Sequence, residues 1–131
     1  MRLQALGLAR GRLYRLLDLA LILALQMYLH SESIMTRRFE WDDVKAEENR
    51  RKHGIRFGEA AQIFEGPVLT RVDDRFGYGE LREISIGLLG GVVVLNVAHT
   101  DRDGVTRIIS ARKATRQERR LFHTYLERTL G

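Results

Sequence analysis

The chain has no cysteine, which excludes a disulfide framework, a thiolate nucleophile and any zinc site built on sulfur. That absence suits a reducing compartment, and a cytoplasmic location is expected. Also missing are a His-Glu-x-x-His pair, the strand-to-helix elbow of a serine hydrolase, and a glycine-rich phosphate loop opening a helix. The four histidines are scattered, so neither a metal nor a cofactor is expected. No convincing membrane span is present. Residues 13–29, LYRLLDLALILALQMYL, form a short apolar run broken by Arg15 and Asp18, where a spanning helix needs about 20 predominantly apolar residues. Basic residues precede this run, but no small-residue cleavage site follows it. Residues 1–34 therefore read as an added helix, a poor membrane anchor, or a segment translated from upstream of the natural start at Met35.

What is present fits one ordinary domain. The 131 residues are 44% hydrophobic and 30% charged, with a formal net charge of +5. Such a balance supports a packed core and favours an anionic partner such as nucleic acid. Phe39-Glu40-Trp41 alternates as a short strand, and Asp42 or Asp43 can cap a mostly charged helix that ends at His53-Gly54. Lys45, Asn49, Lys52 and His53 fall on one stripe of that helix. His53 reads as a C-terminal cap or as a proton-transfer group beside a phosphate. Phe57, Ala60, Ala61 and Phe64 mark a short amphipathic helix stopped near Pro67, and residues 68–72 read as a strand. The loop from Asp73 to Gly79 reads as a solvated turn rather than a calcium loop.

A meander follows. Gly90-Gly91 is expected as a two-residue hairpin turn and Arg102-Asp103-Gly104 as a three-residue one. These turns would pair Leu89 with Val92 and Asp101 with Val105. They would also place Arg82, His99 and Arg107 in one cross-strand row beside two apolar rows, with Arg112 on the opposite face. Thr115-Arg116-Gln117-Glu118 is a capping box that opens a C-terminal helix. The row, with Glu80 nearby, suits RNA cleavage: an imidazole or carboxylate removes a 2′-hydroxyl proton while guanidiniums stabilise the charge on phosphorus. A structural row of arginines paired to Glu80 and Glu83 is the competing reading.

The assembled residues resemble the BrnT family of ribonuclease toxins. The resemblance rests on Phe39-Glu40-Trp41-Asp42, Lys45-Ala46 with Asn49, Lys52-His53-Gly54-Ile55, Phe57, Glu59-Ala60 and Phe64. It continues with Gly79-Glu80 and Arg82, Ile86-Gly87, His99-Thr100-Asp101-Arg102, the run Arg107-Ile108-Ile109-Ser110-Ala111-Arg112, Ala114 and Glu118-Arg119. It covers residues 35–125 and leaves 1–34 without a counterpart, so a toxin domain is expected over 35–131. Arg56 departs from the small or acidic cap usual before the second helix.

The resemblance implies an α+β, RelE-like fold. The expected form is a small antiparallel sheet, a meander of three to four strands plus a short N-terminal strand, with two N-terminal helices and a C-terminal helix. It also implies metal-independent cleavage of mRNA, on or off the ribosome, and inhibition of translation. The expected partner is a BrnA-type antitoxin whose ribbon-helix-helix part binds operator DNA, forming a hetero-oligomer that represses its own operon. By position, Arg82, His99, Arg107, Glu80 and His53 are the expected catalytic residues, and Lys52, Arg102 and Arg112 the RNA-binding ones. The alternative is a non-catalytic module, a decayed toxin that only binds antitoxin or nucleic acid.

Overall fold

Strand β5 (Val105–Lys113) lies between β1 (Arg38–Glu40) and β4 (Val93–Arg102), and the five-stranded sheet runs β1-β5-β4-β3-β2, with β2 at Leu69–Val72 and β3 at Glu83–Leu89. The computed structural model describes residues 19–25, 27, 37–75 and 79–130. Residues 19–25 and 27 are helical, and the other expectations for residues 1–34 lie outside the described residues. Among the described residues no helix is long and apolar enough to cross a membrane. The strand pairs are antiparallel except β1 with β5, which is parallel. The sheet is therefore mixed rather than purely antiparallel.

Helices cover both faces. On the first face, α1 (Asp43–His53), α2 (Phe57–Ala61) and a 3-10 turn (Gln62–Glu65) bring Ile55, Phe57, Ala60, Ile63 and Phe64 onto Leu95, Val97, Ile108 and Ala111. Gly87 lets the 3-10 turn lie close, since a Cβ there would stand 3.0 Å from both Ile63 and Val68 side-chain carbons. On the second face, Phe122 of α3 (Arg116–Leu130) packs with Ile84, Ile86, Val94 and Ala114.

The helix signals behave as the sequence predicts. Asp42 accepts from Lys45 N at 3.0 Å, and Gly54 ends α1 with φ 73°. Ahead of α2, the backbone N–H of Arg56 donates to Glu59 at 3.0 Å, so the turn is fixed from the Glu59 side despite the unusual residue before it. Thr115 and Glu118 bond reciprocally, at 2.8 and 3.1 Å.

Register departs from expectation in both hairpins. Gly90 and Gly91, both at positive φ, turn the chain, but Leu89 pairs with Val93 and Val92 is left over, 81% exposed. In the second hairpin Asp103 (φ 51°) and Gly104 (φ 79°) form a two-residue turn, and Arg102 pairs with Val105. Asp-Gly favours that geometry because both central residues must be left-handed. The sheet is buried on both sides, so shifting a strand by one residue exchanges one core for another rather than core for solvent. Hydrophobic alternation could not reject the wrong register. A bulge between Ala98 and His99 of β4, against Ile108 to Ser110 of β5, completes the rearrangement: His99 faces Ile108 while Ala98 faces Ser110.

Two buried polar groups hold the helices. Asn49 of α1 donates to Ile55 O (3.1 Å) and Ala111 O (2.8 Å) and accepts from Ala111 N (3.1 Å). Glu118 of α3 accepts from both terminal nitrogens of Arg112 (2.7 and 3.0 Å) and from Asn96 Nδ2 (2.7 Å), besides Thr115 N. The Arg112 guanidinium above all, helped by these other donors, lowers the Glu118 carboxyl from 4.5 to about 2.

Asn49→Ala should remove about 3 kcal/mol of stability in denaturant unfolding, because buried backbone groups of Ala111 lose their partners. Asn49→Asp, which lacks the amide donors, should cost a similar amount. For Glu118 the folded state resists protonation, so its stabilisation is complete above pH 4.5 and fades as pH falls toward 2. Glu118→Gln should be less stable at pH 7 by on the order of 2 kcal/mol. It should also lose stability less steeply than the parent protein across that acid range.

Candidate functional site

The second face of the sheet carries the cations. Even-numbered residues of β4 point to it: Val94, Asn96, Ala98 and Thr100 pair across β3 and β5 with Leu88, Ile86, Ile84, Arg112, Ser110 and Arg107. In parallel pairing, Glu40 of β1 stands beside Arg107. Continuing the β3–β4 ladder by one residue beyond Glu83–His99 sets Arg82 beside Thr100. The resulting row reads Glu40, Arg107, Thr100, Arg82. It lies beyond the apolar patch that α3 covers.

The expected row of Arg82, His99 and Arg107 is thus corrected in its centre. Both hairpins slip by one residue, so the arginines flank Thr100, and His99 points to the opposite face. There it is 2% exposed, edge-on to Phe64 (ring centroids 5.3 Å apart), with Nε2 2.8 Å from Ser85 Oγ. Burial lowers its pKa below the usual value, against the pull of Asp101. Arg112 is corrected in the other direction. The bulge puts it on the same face as Arg107, where Glu118 holds it in two bonds. Lys52 and His53 end α1 on the first face and are not brought into the row.

Glu80 and Arg102 form a two-bond pair at 2.8 and 2.9 Å. The carboxyl of Glu80 lies below its usual range because of Arg102 first, with Arg82 and Arg107 adding to the field. Glu80, Arg82, Arg102 and Arg107 therefore share one electrostatic neighbourhood. Arg107 Nη1 stands 3.5 Å from Glu40 Oε1, both half-exposed. Exposed pairs of this kind contribute little and exchange readily for a better anion. The Thr100 hydroxyl is buried, with no hydrogen-bond partner among the described residues. Such an arrangement can grip a phosphate between two guanidinium forks and leave a carboxylate beside it to take a proton.

Glu40 and Thr100 are not expected at the site from the sequence. Their position depends on the parallel β1–β5 pairing and on the two turns, which neighbouring residues do not announce. A shallow groove between α1 and α2, lined by Trp41, Arg50, Arg56 and Phe57 among others, contains none of the expected site residues.

A family model described as "Ribonuclease toxin, BrnT, of type II toxin-antitoxin system" matches residues 41–118. No curated protein matches the chain. Among solved structures, the chain is similar to the crystal structure of the Brucella abortus ribonuclease toxin BrnT, with 24% identity and a TM-score of 0.48, over 62% of this chain and 100% of that one.

Binding of a single-stranded oligonucleotide, measured across a salt series, should separate the arginines. Arg82→Ala and Arg107→Ala should each flatten the log–log salt slope by about 0.7, the share of one phosphate contact on a single strand. Arg112→Ala should leave the slope unchanged and lower the unfolding midpoint instead.

Proposed function

Because the chain belongs to the BrnT family of ribonuclease toxins of type II toxin–antitoxin systems, we propose that it cleaves mRNA at the arginine–threonine row and so inhibits translation. The observation that supports this reading is that Arg107 of β5 pairs with Thr100 of β4 while Arg82 continues the β3–β4 ladder on its other side, so the two guanidiniums share one end of the second face. In this reading the two arginines hold the scissile phosphate from opposite sides. They stabilise the negative charge that builds on its oxygens as the 2′-hydroxyl attacks. Guanidiniums supply the charge stabilisation, so the cleavage step needs no metal.

A carboxylate takes the 2′-hydroxyl proton. As the 2′-oxygen bonds to phosphorus the P–O5′ bond breaks, leaving a 2′,3′-cyclic phosphate and a 5′-oxygen that takes a proton from water. Glu40, with a single 3.5 Å contact to Arg107, is better placed as the base than Glu80, whose two oxygens are engaged by Arg102. When RNA phosphate draws Arg102 away, Glu80 is freed as well. His99 serves the fold rather than proton transfer, since it is buried on the other face.

The toxin unit in this reading is residues 35–131, within which the family match lies. Its neutralising partner is a BrnA-type antitoxin with a ribbon-helix-helix part. The hetero-oligomer would repress its operon, and the toxin would act in the cytoplasm.

Expression of the full chain should arrest growth. The purified protein should cleave RNA with chelator present, at a temperature where circular dichroism shows it folded. Arg82→Ala and Arg107→Ala should each lower the cleavage rate by about 100-fold or more, the usual loss when one charge-stabilising group is removed. Folded, soluble wild-type protein that binds RNA or antitoxin without cleaving would instead support the non-catalytic module.

A further inference from the structure

On the first face, opposite the arginine row, Glu83, His99 and Asp101 each direct a ligand-type atom into one spot, all within 4.8 Å of one another. We propose that these three residues form a binding site for a zinc-class divalent ion, held by His99 Nδ1 and one oxygen from each carboxylate, which pins the start of β3 to the end of β4. The site is independent of the cleavage reading and stands if that reading fails.

The imidazole makes the case. Its Nε2 lies 2.8 Å from Ser85 Oγ, which in turn lies 2.7 Å from Thr70 Oγ1. In the tautomer whose Nε2–H donates to Ser85, with Ser85 donating onward to Thr70, Nδ1 carries the lone pair; the opposite tautomer would turn an Nδ1–H toward Asp101. Nδ1 is fully buried, has no hydrogen-bond partner among the described residues, and faces the Asp101 carboxylate at 3.5 Å. A lone pair aimed at two carboxylates is a repulsive arrangement until a positive centre sits among them. Arg37, stacked over Phe64 with its guanidinium carbon 4.7 Å from the ring centroid, supplies charge from the side but gives Nδ1 no donor.

The spacing agrees. A tetrahedral zinc with bonds of about 2.0–2.2 Å sets its ligand atoms about 3.3–3.6 Å apart, which spans the Nδ1–Asp101 distance. The Ser85–Thr70 pair fixes the ring from behind, as hydrogen bonds to the far nitrogen do for metal-bound histidines. Asp101 is half-exposed and gives the ion a way in. One imidazole nitrogen with two carboxylate oxygens suits Zn2+, or Mn2+ second, over Mg2+, with water completing the shell. Because the arginine row is on the other side of the sheet, this ion would brace the structure rather than touch RNA.

The test uses the full chain without a polyhistidine tag, stripped with chelator and titrated by calorimetry with Zn2+, Mn2+ and Mg2+. One equivalent of Zn2+ should bind and raise the unfolding temperature, with Mg2+ ineffective. Asp101→Asn and Glu83→Gln should each weaken Zn2+ binding at least tenfold, and Arg37→Ala should tighten it several-fold. Nitrogen-15 spectra should show the His99 Nδ1 resonance moving on Zn2+ addition while Nε2 keeps its proton. His99 variants are poor tests because the ring is core, and the half-exposed Asp101 avoids that difficulty. The absence of saturable binding, equal binding by Asp101→Asn, or a shift confined to His53 or His123 would overturn the proposal.

Discussion

The inner part of β5 has a strand on only one side. Strand β1 pairs with Val105 to Arg107 and then leaves, so the backbone of Ala111 would face the core without a partner. Asn49 resolves this by presenting an amide that gives and accepts as a neighbouring strand would. A helix with almost no apolar surface is thereby fixed to the sheet, and its N-terminal end stays beside the β1–β5 junction. Arg107 and Glu40 meet at that junction. The position of the cationic face thus depends on one buried side chain that replaces a missing length of strand.

The second organising fact is that both faces are covered. Glu118 anchors α3 at one end of the second face through Arg112 and Asn96 and leaves the other end to Arg82, Thr100 and Arg107. One face therefore divides into a half covered by α3 and a half that carries the cationic row, and the same residue type serves each. The distinction between Arg112 and Arg107 lies in their surroundings: a buried carboxylate with four donors in one case, and a half-exposed contact in the other.

Features encoded by neighbours in sequence could be read directly. These include the Asp42 cap, the Gly54 terminus, the Thr115–Glu118 box, the strands and the turn glycines. The family could be read as well, because its resemblance is carried by short runs of neighbouring residues such as Lys52-His53-Gly54-Ile55 and Arg107 to Arg112. The face on which each residue lies was not legible. Leu95, Val97, Ile84 and Ile86 are apolar whichever core they enter, so only the turn lengths could set parity, and both turns differ by one residue from the expected form. His99 was read as part of the charged row for that reason, while Thr100, the residue that occupies its place, offers no distinctive signal. Asn49 was legible as part of a polar stripe but not as a surrogate for a strand, because that role needs Ala111, 62 positions away.

The bulge opposite Ala98 and His99 has a consequence for how this chain can vary over evolutionary time. Lengthening or shortening the solvent-facing tip at 90–92 leaves the inward and outward order of β5 intact. Arg107 and Arg112 stand five residues apart and share a face only through the extra residue at 108–110, so straightening β5 without losing a residue would send one of them through to the wrong side. Length changes should therefore accumulate freely at the tip, whereas the middle of β5 should either keep its bulge or lose it together with one residue, even among relatives whose side chains there have drifted.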